Sequence, residues 1–266
     1  MSTAPIRLFW WRWQHPRRLN FGDEVTAPLL ERLTGRRIVW SSLTSCDAIG
    51  AGSILQMALR ARPDDLPIVW GSGFIRPPVE GEPTITDSLL AVRGELSRNR
   101  LDPSVRSAVR LGDPGLLAPH LLDRPVGKRY AVGFVPHYKD AADPVVTGLL
   151  ARNRSVRRID VAWSPEEVAR EIAACEVVLS SSMHGLIFSD ALGVPNLHVQ
   201  LGDKLIGGTY KFEDYNTALE REHIAVGQED VRDLGTDDLT RLVQSRYREP
   251  HGLRHLQNEL IGVLPW

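Results

Sequence analysis

The 266-residue sequence has two cysteines, Cys46 and Cys175, and no apolar run that approaches the roughly eighteen residues of a membrane-spanning helix. Two cysteines exclude a disulfide framework, so a reducing, cytoplasmic compartment is expected. The N-terminal segment is basic and aromatic, but Arg7 and Arg12 interrupt it. No apolar stretch of the length that a signal peptide requires can therefore form there.

An excess of one charge is also missing, because 32 Lys and Arg residues face 33 Asp and Glu residues, for a net charge of -1. Such a balance offers no basic surface for nucleic acid, and any anion site must be local. The eight histidines are scattered without an H-E-x-x-H pattern, and the cysteines lack partners at ligand spacing, so no metal site is expected. A G-x-S-x-G elbow is absent, which argues against a hydrolase triad.

Short β-rich runs alternate with helical patterns along the whole chain, which predicts an α/β fold with parallel sheets covered by helices. The predicted strands are 6–10, 37–40, 68–70, 89–93, 130–135, 156–161, 177–179 and 196–199. The clearest predicted helices are 23–33, 95–101, 165–175, 184–192, 238–247 and 253–263. Pro and Gly punctuate "LLDRPVGKR", Leu121–Arg129, which places a domain boundary there. We predict Rossmann-like domains at 1–122 and 123–266 that face a ligand cleft at their strand ends, with the terminal helix packing back on the first domain.

The segment "EVVLSSSMHGLIFSDALGVP" indicates a strand, a turn and a helix. Unpaired N–H groups at a helix start can hold an anion, which makes Ser182, Met183 and Gly185 candidate donor-binding residues. His184 stands at the mouth of this cradle, where an imidazole can exchange protons near neutral pH. The alternative is that Ser182 caps the helix and His184 is a solvated or core side chain.

Other turns supply further candidates near the carboxyl ends of predicted strands. Asn20, Gly22 and Asp23 precede an amphipathic helix, and Asp23 is predicted to be its N-cap. Gly71 and Ser72 lie in "WGSGF", which we interpret as a loop that lines the cleft.

Charged candidates follow later strands. Arg93 ends a predicted strand, where a guanidinium can bind carboxylate or phosphate, with a surface ion pair as the alternative. Asp113 is expected to serve the turn in "LGDPGLL". His137 follows another strand, and Lys211 and Tyr215 share a helical spacing that lets them face one way.

In their order along the chain, the segments "FWW", "NFGDEVT", "GAGSIL", "VWGSGF", "AVRGELSR", "LGDPGLL", "VPHY", "SSSMHGLIFSDALGVP" and "KFEDYN" resemble the polysaccharide pyruvyltransferases. The likeness is nearest to the bacterial ketal pyruvate transferases of the xanthan type, and it runs from about Phe9 to Asn216. The resemblance implies a two-domain, GT-B-like fold with phosphoenolpyruvate as donor and a sugar diol as acceptor, and it calls for no cofactor.

The resemblance also implies roles for single residues. His184 would be the central catalytic residue, and Arg93 would bind the donor. Many relatives carry arginine where this chain has Ser182, so Lys211 and His137 are the candidates for the missing anion partner. The acceptor would be a cell-surface glycan or its lipid-linked precursor, which brings the protein to the inner face of the cytoplasmic membrane.

Two other functions remain open at this point, because one fold hosts many activities. The first is a GT-B glycosyltransferase that uses a nucleotide sugar. The second is a carbohydrate-binding protein of the same fold without catalytic activity.

Overall fold

The computed structural model describes residues 4–14, 17–82, 84–85, 89–202 and 206–266, and of residues 13, 14, 17 and 18 it describes the backbone. The strands are β1 Ile6–Phe9, β2 Trp13–Gln14, β3 Arg17–Arg18, β4 Ile38–Trp40, β5 Ala48–Ile49, β6 Ile68–Ser72, β7 Ala91–Val92, β8 Arg110–Leu111, β9 Tyr130–Val135, β10 Val156–Arg158, β11 Cys175–Ser180, β12 Asn196–Gln200 and β13 Ala225–Gly227. The α-helices are α1 Phe21–Glu24, α2 Thr26–Thr34, α3 Leu55–Ala61, α4 Glu95–Arg98, α5 Pro103–Arg106, α6 Pro144–Arg152, α7 Pro165–Ala173, α8 Met183–Ala191, α9 Tyr210–Ala218, α10 Thr236–Arg246 and α11 Leu253–Gly262, and 3₁₀ helices cover Pro114–Leu121 and Gln228–Asp230. In this described part, no helix is both long and apolar enough to cross a membrane.

The first sheet is parallel, with the strand order β4-β1-β5-β6-β7-β8. Strand β1 buries Ile6 and Leu8, while Arg7 between them is exposed and forms an ion pair with Asp47. This alternation follows from the period of two residues in a strand. The strands β2 and β3 form a separate antiparallel hairpin.

The second sheet is also parallel, with the order β10-β9-β11-β12-β13. In its middle strand β11, Val177 and Leu179 belong to one buried apolar cluster, whereas Val178 belongs to another. A parallel sheet covered by helices on both faces selects such continuous apolar runs. The sequence "VVL" is therefore apolar because both of its faces are buried.

The two sheets share one hydrophobic cluster, which joins Leu8 and Trp70 of the first sheet to Val178 of the second. The segments that follow the strands also meet, since the Phe21 N–H donates a hydrogen bond of 2.9 Å to the Val161 carbonyl. Phe21 comes after β1 and its hairpin, and Val161 comes after β10. The carboxyl ends of strands from both sheets are thereby brought together.

The predicted α/β class with two Rossmann-like parallel sheets is confirmed, and each predicted strand has a counterpart. Several elements of the structure were not predicted. Strand β5 has two residues, which is too short for a periodic pattern. Helix α6 was missed although Asp143 and Pro144 form a cap and first-turn signal that was overlooked.

The strands of the first sheet come from residues 6–111 and those of the second from residues 130–227. The terminal helix α11 contacts the first half, because its Leu260 carbonyl accepts a 2.9 Å hydrogen bond from Trp70 Nε1 and its Gln257 amide donates to the Leu116 carbonyl. The division into domains at residue 122 stays a prediction.

Two glycines have similar backbone angles but different surroundings, so comparing them distinguishes the cost of backbone strain from the cost of steric contact. Gly71 and Gly81 have φ values of +84° and +80°. A Cβ atom on Gly71 would lie 2.4 Å from Pro114 Cδ and 2.6 Å from the Gly112 carbonyl oxygen, whereas a Cβ on Gly81 would meet nothing within 4 Å. The fold therefore requires Gly71 for space as well as for conformation.

We expect Gly71→Ala to lower the free energy of unfolding by about 2–5 kcal/mol, because strain and overpacking add. Gly81→Ala is the control and should cost about 1–2 kcal/mol, from strain alone. Urea unfolding of both variants measures the difference. Equal losses would contradict the close contact at Gly71.

Candidate functional site

The turn between β11 and α8 is held by its serine side chains. Ser180 Oγ accepts the Ser182 N–H at 3.0 Å and lies 2.9 Å from the Val135 carbonyl oxygen, to which it can donate. Ser181 Oγ accepts the His137 N–H at 2.9 Å. These bonds tie the turn to β9 and to the segment that follows it.

The start of α8 carries no side-chain cap. Ser182 occupies the N-cap position, but its hydroxyl makes no capping hydrogen bond, so the capping alternative is wrong. Among the described residues, the N–H groups of Met183 and His184 have no hydrogen-bond acceptor. Unpaired N–H groups at the positive end of a helix dipole favour an anion.

His184 is buried at the point where the two halves meet. Its ring lies edge-on to Phe21, with 6.3 Å between the centroids. Gly22 is buried against the same ring, since a Cβ atom there would lie 2.2 Å from His184 Nδ1. His184 Nε2 lies 3.7 Å from Asp113 Oδ2, and both atoms are buried without a hydrogen-bond partner. The alternative that His184 is a solvated side chain is therefore wrong, whereas its burial agrees with the alternative of a core side chain, and its catalytic role stays a prediction.

Asp113 has two roles, of which sequence analysis found one. Its Oδ1 accepts the Gly115 N–H at 2.8 Å and caps the 3₁₀ helix Pro114–Leu121, as the turn prediction requires. Its Oδ2 faces His184, a contact between residues 71 positions apart. Sequence analysis had no local signal for this contact, because strand β8, which ends two residues before Asp113, has only two residues.

The residues at the start of α1 differ in part from their predicted roles. Asn20, not Asp23, is the N-cap, because Asn20 Oδ1 accepts the Gly22 N–H at 3.2 Å. Asp23 lies in the first helical turn, partly exposed. Burial raises the pKa of its carboxyl from 3.8 to about 6, although the nearby His184 and Lys211 oppose this shift. The predicted capping by Asp23 is corrected.

Lys211 brings a positive charge from α9 into the same group of residues. Burial lowers the pKa of its ammonium from 10.5 to about 8, Arg93 adds to the lowering, and Asp23 opposes it. The ammonium is therefore still protonated at pH 7. Lys211 is partly buried, so it is not a fully solvated surface lysine.

His137 differs from Lys211 in charge at neutral pH. Burial, followed by Lys211 and Lys139, lowers the pKa of His137 from 6.5 to about 4. The imidazole is thus neutral at pH 7 and can contribute a hydrogen bond but no charge. Of the two candidates for the missing anion partner, Lys211 is the cationic one.

Arg93 does not have the predicted environment. Its side chain is fully buried and bonded to Asp214 at 2.9–3.0 Å, to Ser53 Oγ at 2.7 Å and to the Phe74 carbonyl at 2.6 Å. A guanidinium enclosed in this way has no free face for a donor, and the pair is not on the surface. Arg93 instead connects the end of β7 to α9.

Three predicted cleft residues are buried in the structure. Tyr215 is fully buried and its hydroxyl donates a 2.8 Å hydrogen bond to Asp190, so it does not share an accessible face with Lys211. Ser72 is also fully buried and donates to the Gly52 carbonyl at 3.0 Å, and Gly71 packs against Pro114. These three residues support the walls of the site and do not line it.

The described residues contain no group of three or more His, Cys, Asp or Glu side chains that could hold a metal ion. The structure does bring together Asp23, His137, His184 and Lys211, with Gly22 and the start of α8 between them. Asp113 lies next to this group, with its Oδ2 3.7 Å from His184 Nε2. This set provides proton-exchanging groups beside anion-binding N–H groups and one cation.

The fold and site define a class: an α/β protein with two parallel sheets, which has ionisable side chains beside unpaired helix N–H groups between their strand ends. Comparison with known families is more specific, because the polysaccharide pyruvyl transferase model matches residues 3–201. The chain therefore belongs to the polysaccharide pyruvyl transferase family, as the resemblance of its motifs indicated.

Two curated proteins resemble the chain at low sequence identity. The chain is 34% identical over 116 residues to the uncharacterized protein L143 of Acanthamoeba polyphaga mimivirus, an alignment that covers 41% of this chain and 39% of that protein. It is 28% identical over 226 residues to the succinoglycan biosynthesis protein ExoV of Rhizobium meliloti, covering 80% of this chain and 65% of ExoV. The chain thus spans less than two thirds of the length of either relative.

Among solved structures, the chain is similar to the UDP-GlcNAc 2-epimerase of Methanocaldococcus jannaschii, crystallised with UDP-GlcNAc and UDP. The match has 12% identity and a TM-score of 0.43, and it covers 80% of this chain and 75% of the epimerase. A likeness at this level carries no functional argument.

If Arg93 joins the two halves, Arg93→Met should lower the free energy of unfolding by about 3–5 kcal/mol, because it leaves the buried Asp214 charge unpaired. Arg98→Met is the matched control. Arg98 pairs with Glu95 at the partly exposed face of α4, so its loss should cost about 1 kcal/mol or less. Urea unfolding measures both, and an unchanged stability of Arg93→Met would contradict the assignment.

Proposed function

We propose that the protein transfers pyruvate from phosphoenolpyruvate onto a sugar diol of a cell-surface or exopolysaccharide glycan, or of its lipid-linked precursor, and releases phosphate. The observation that carries the proposal is the position of His184 at the uncapped start of α8, within electrostatic reach of Asp23. Membership in the polysaccharide pyruvyl transferase family supports the same activity.

The donor-binding part of the proposal rests on the start of α8 and on Lys211. The free N–H groups of Met183 and His184 can bind the oxygens of a phosphate or carboxylate. The Lys211 ammonium, protonated below about pH 8, supplies the positive charge. Gly185 permits close packing beneath this turn, because a Cβ there would lie 2.3 Å from Ser180 Oγ.

The chemical part requires one proton donor and one base. In the proposed reaction, His184 protonates C3 of phosphoenolpyruvate, and C2 acquires oxocarbenium character. One sugar hydroxyl adds to C2 and gives its proton to Asp23, whose pKa of about 6 leaves the carboxyl ionised at pH 7. The C2–O bond to phosphate then breaks, and the phosphate takes up the proton held by Asp23. The second hydroxyl attacks C2, gives its proton to His184, which the first step left neutral, and closes the cyclic ketal.

The nature of the acceptor is supported by the relatives. The name of ExoV refers to succinoglycan biosynthesis, which is consistent with a polysaccharide or its precursor as acceptor. A lipid-linked acceptor would bring the protein to the cytoplasmic face of the membrane.

The activity is tested by incubating the protein with phosphoenolpyruvate and a panel of p-nitrophenyl and lipid-linked sugars. Phosphate release together with a pyruvyl mass increment on the sugar is the expected result. Nucleotide sugars form the second arm of the assay. Transfer from a nucleotide sugar, or glycan binding without phosphate release, would overturn the proposal.

We expect His184→Gln to fold normally but to lose activity by a factor of about 10²–10⁴, because glutamine keeps size and hydrogen bonding but cannot exchange a proton. The melting temperature and the phosphate-release rate are measured side by side. His120→Gln is the control, since His120 is exposed. A stable His184→Gln variant with a near-normal rate would remove His184 from the mechanism.

The pKa of Lys211 predicts how donor affinity depends on pH. As the pH rises through about 8, the ammonium loses its charge, so the KM for phosphoenolpyruvate should rise. Lys211→Gln should have a high KM at every pH, and its KM should no longer depend on pH in this range. Lys128→Gln is the control, because Lys128 precedes β9 and is not part of the site, and its KM should still rise with pH. A wild-type KM that is constant from pH 7 to about 9.5 would contradict the role of Lys211.

A further inference from the structure

The pair formed by His184 Nε2 and Asp113 Oδ2 differs from other buried polar contacts in the described residues. Both atoms are buried and neither has a hydrogen-bond partner, although they lie 3.7 Å apart. A buried polar atom without a partner costs about 1–3 kcal/mol. Such atoms are rare in native structures, and a catalytic role is one explanation for them.

The position of Asp113 is fixed by bonds that do not involve His184. Its Oδ1 accepts the Gly115 N–H at 2.8 Å, and the residue is fully buried at the end of β8. Oδ2 is consequently directed at His184 by the backbone of the turn. A carboxylate can only accept a hydrogen bond, so its partner nitrogen must carry the proton.

We propose that Asp113 is a positioning residue that keeps His184 protonated at Nε2, so that Nδ1 is the nitrogen that gives its proton to substrate and is left unprotonated after the transfer. The proposal rests on the proposed function only for its kinetic consequence. Nδ1 lies on the side of the ring that contacts Gly22, next to Asp23. A Cβ atom on Gly22 would collide with this nitrogen, so glycine is required beside it.

The 3.7 Å separation is longer than a hydrogen bond, and catalytic hydrogen bonds are often long before substrate binds. Asp113 belongs to the first half of the chain and His184 to the second.

The test compares Asp113→Asn with the wild type by ¹⁵N NMR of histidine-labelled protein, and the His184→Gln spectrum identifies the His184 signals. In the wild type we expect a protonated Nε2. In Asp113→Asn, the amide can still accept the Gly115 N–H but presents an NH₂ group to Nε2, which should reverse the tautomer. A neutral wild-type His184 protonated at Nδ1, or an unchanged tautomer in the variant, would overturn the proposal without bearing on the overall activity.

The kinetic arm measures phosphate release from phosphoenolpyruvate. Asp113→Asn should lower kcat by a factor of about 10²–10⁴ and change the donor KM by about threefold at most, since donor-binding groups are untouched. The matched control is Asp102→Asn, because Asp102 also precedes a proline and caps a short helix, and it should keep normal kcat. A normal kcat in a folded Asp113→Asn variant would overturn the role, whereas an inactive wild type would refute the proposed function and leave the tautomer test intact.

Discussion

The buried ion pair between Arg93 and Asp214 determines how the two halves meet. Removing two charges from water is costly unless hydrogen bonds satisfy the remaining donors and acceptors. Here Asp214 also accepts the Ser97 N–H and hydroxyl at 2.8 and 2.6 Å. Such a set of bonds tolerates little displacement, so the end of β7 and helix α9 have a defined relative position.

A steric constraint acts at the same place. A Cβ atom on Gly94 would lie 1.7 Å from the Asp214 carbonyl oxygen, so the backbone after β7 contacts α9 directly. Lys211 lies one helical turn before Asp214 on α9. The position of the Lys211 ammonium near the site therefore depends on the contact between Arg93 and Asp214.

Hydrogen-bond satisfaction distinguishes supporting polar groups from those of the site. Asp190 is fully buried, and its carboxylate accepts hydrogen bonds from Asn196, Tyr215 and Arg221, which is typical of a structural network. His184 Nε2 and Asp113 Oδ2 have no such partners.

Sequence analysis could find the strand, turn and helix around His184, since these depend on local pattern. It could not assign Tyr215 or Arg93 correctly, because burial by another part of the chain leaves no local signal, and it missed the contact of Asp113 for the same reason.

The charges in the site allow a chain of nearly zero net charge to bind the proposed anionic donor. Asp23 and Lys211 partly offset the cost of each other's burial, with pKa values of about 6 and about 8. A bound anion would stabilise the protonated form of both groups and so raise both pKa values. Lys211 would then stay protonated to a higher pH. Asp23 would become a stronger base, with a pKa closer to neutral pH. Binding of the proposed donor would thus prepare the Asp23 carboxylate to accept the proton of the acceptor hydroxyl. Neither donor binding nor this proton transfer requires a higher net charge on the protein.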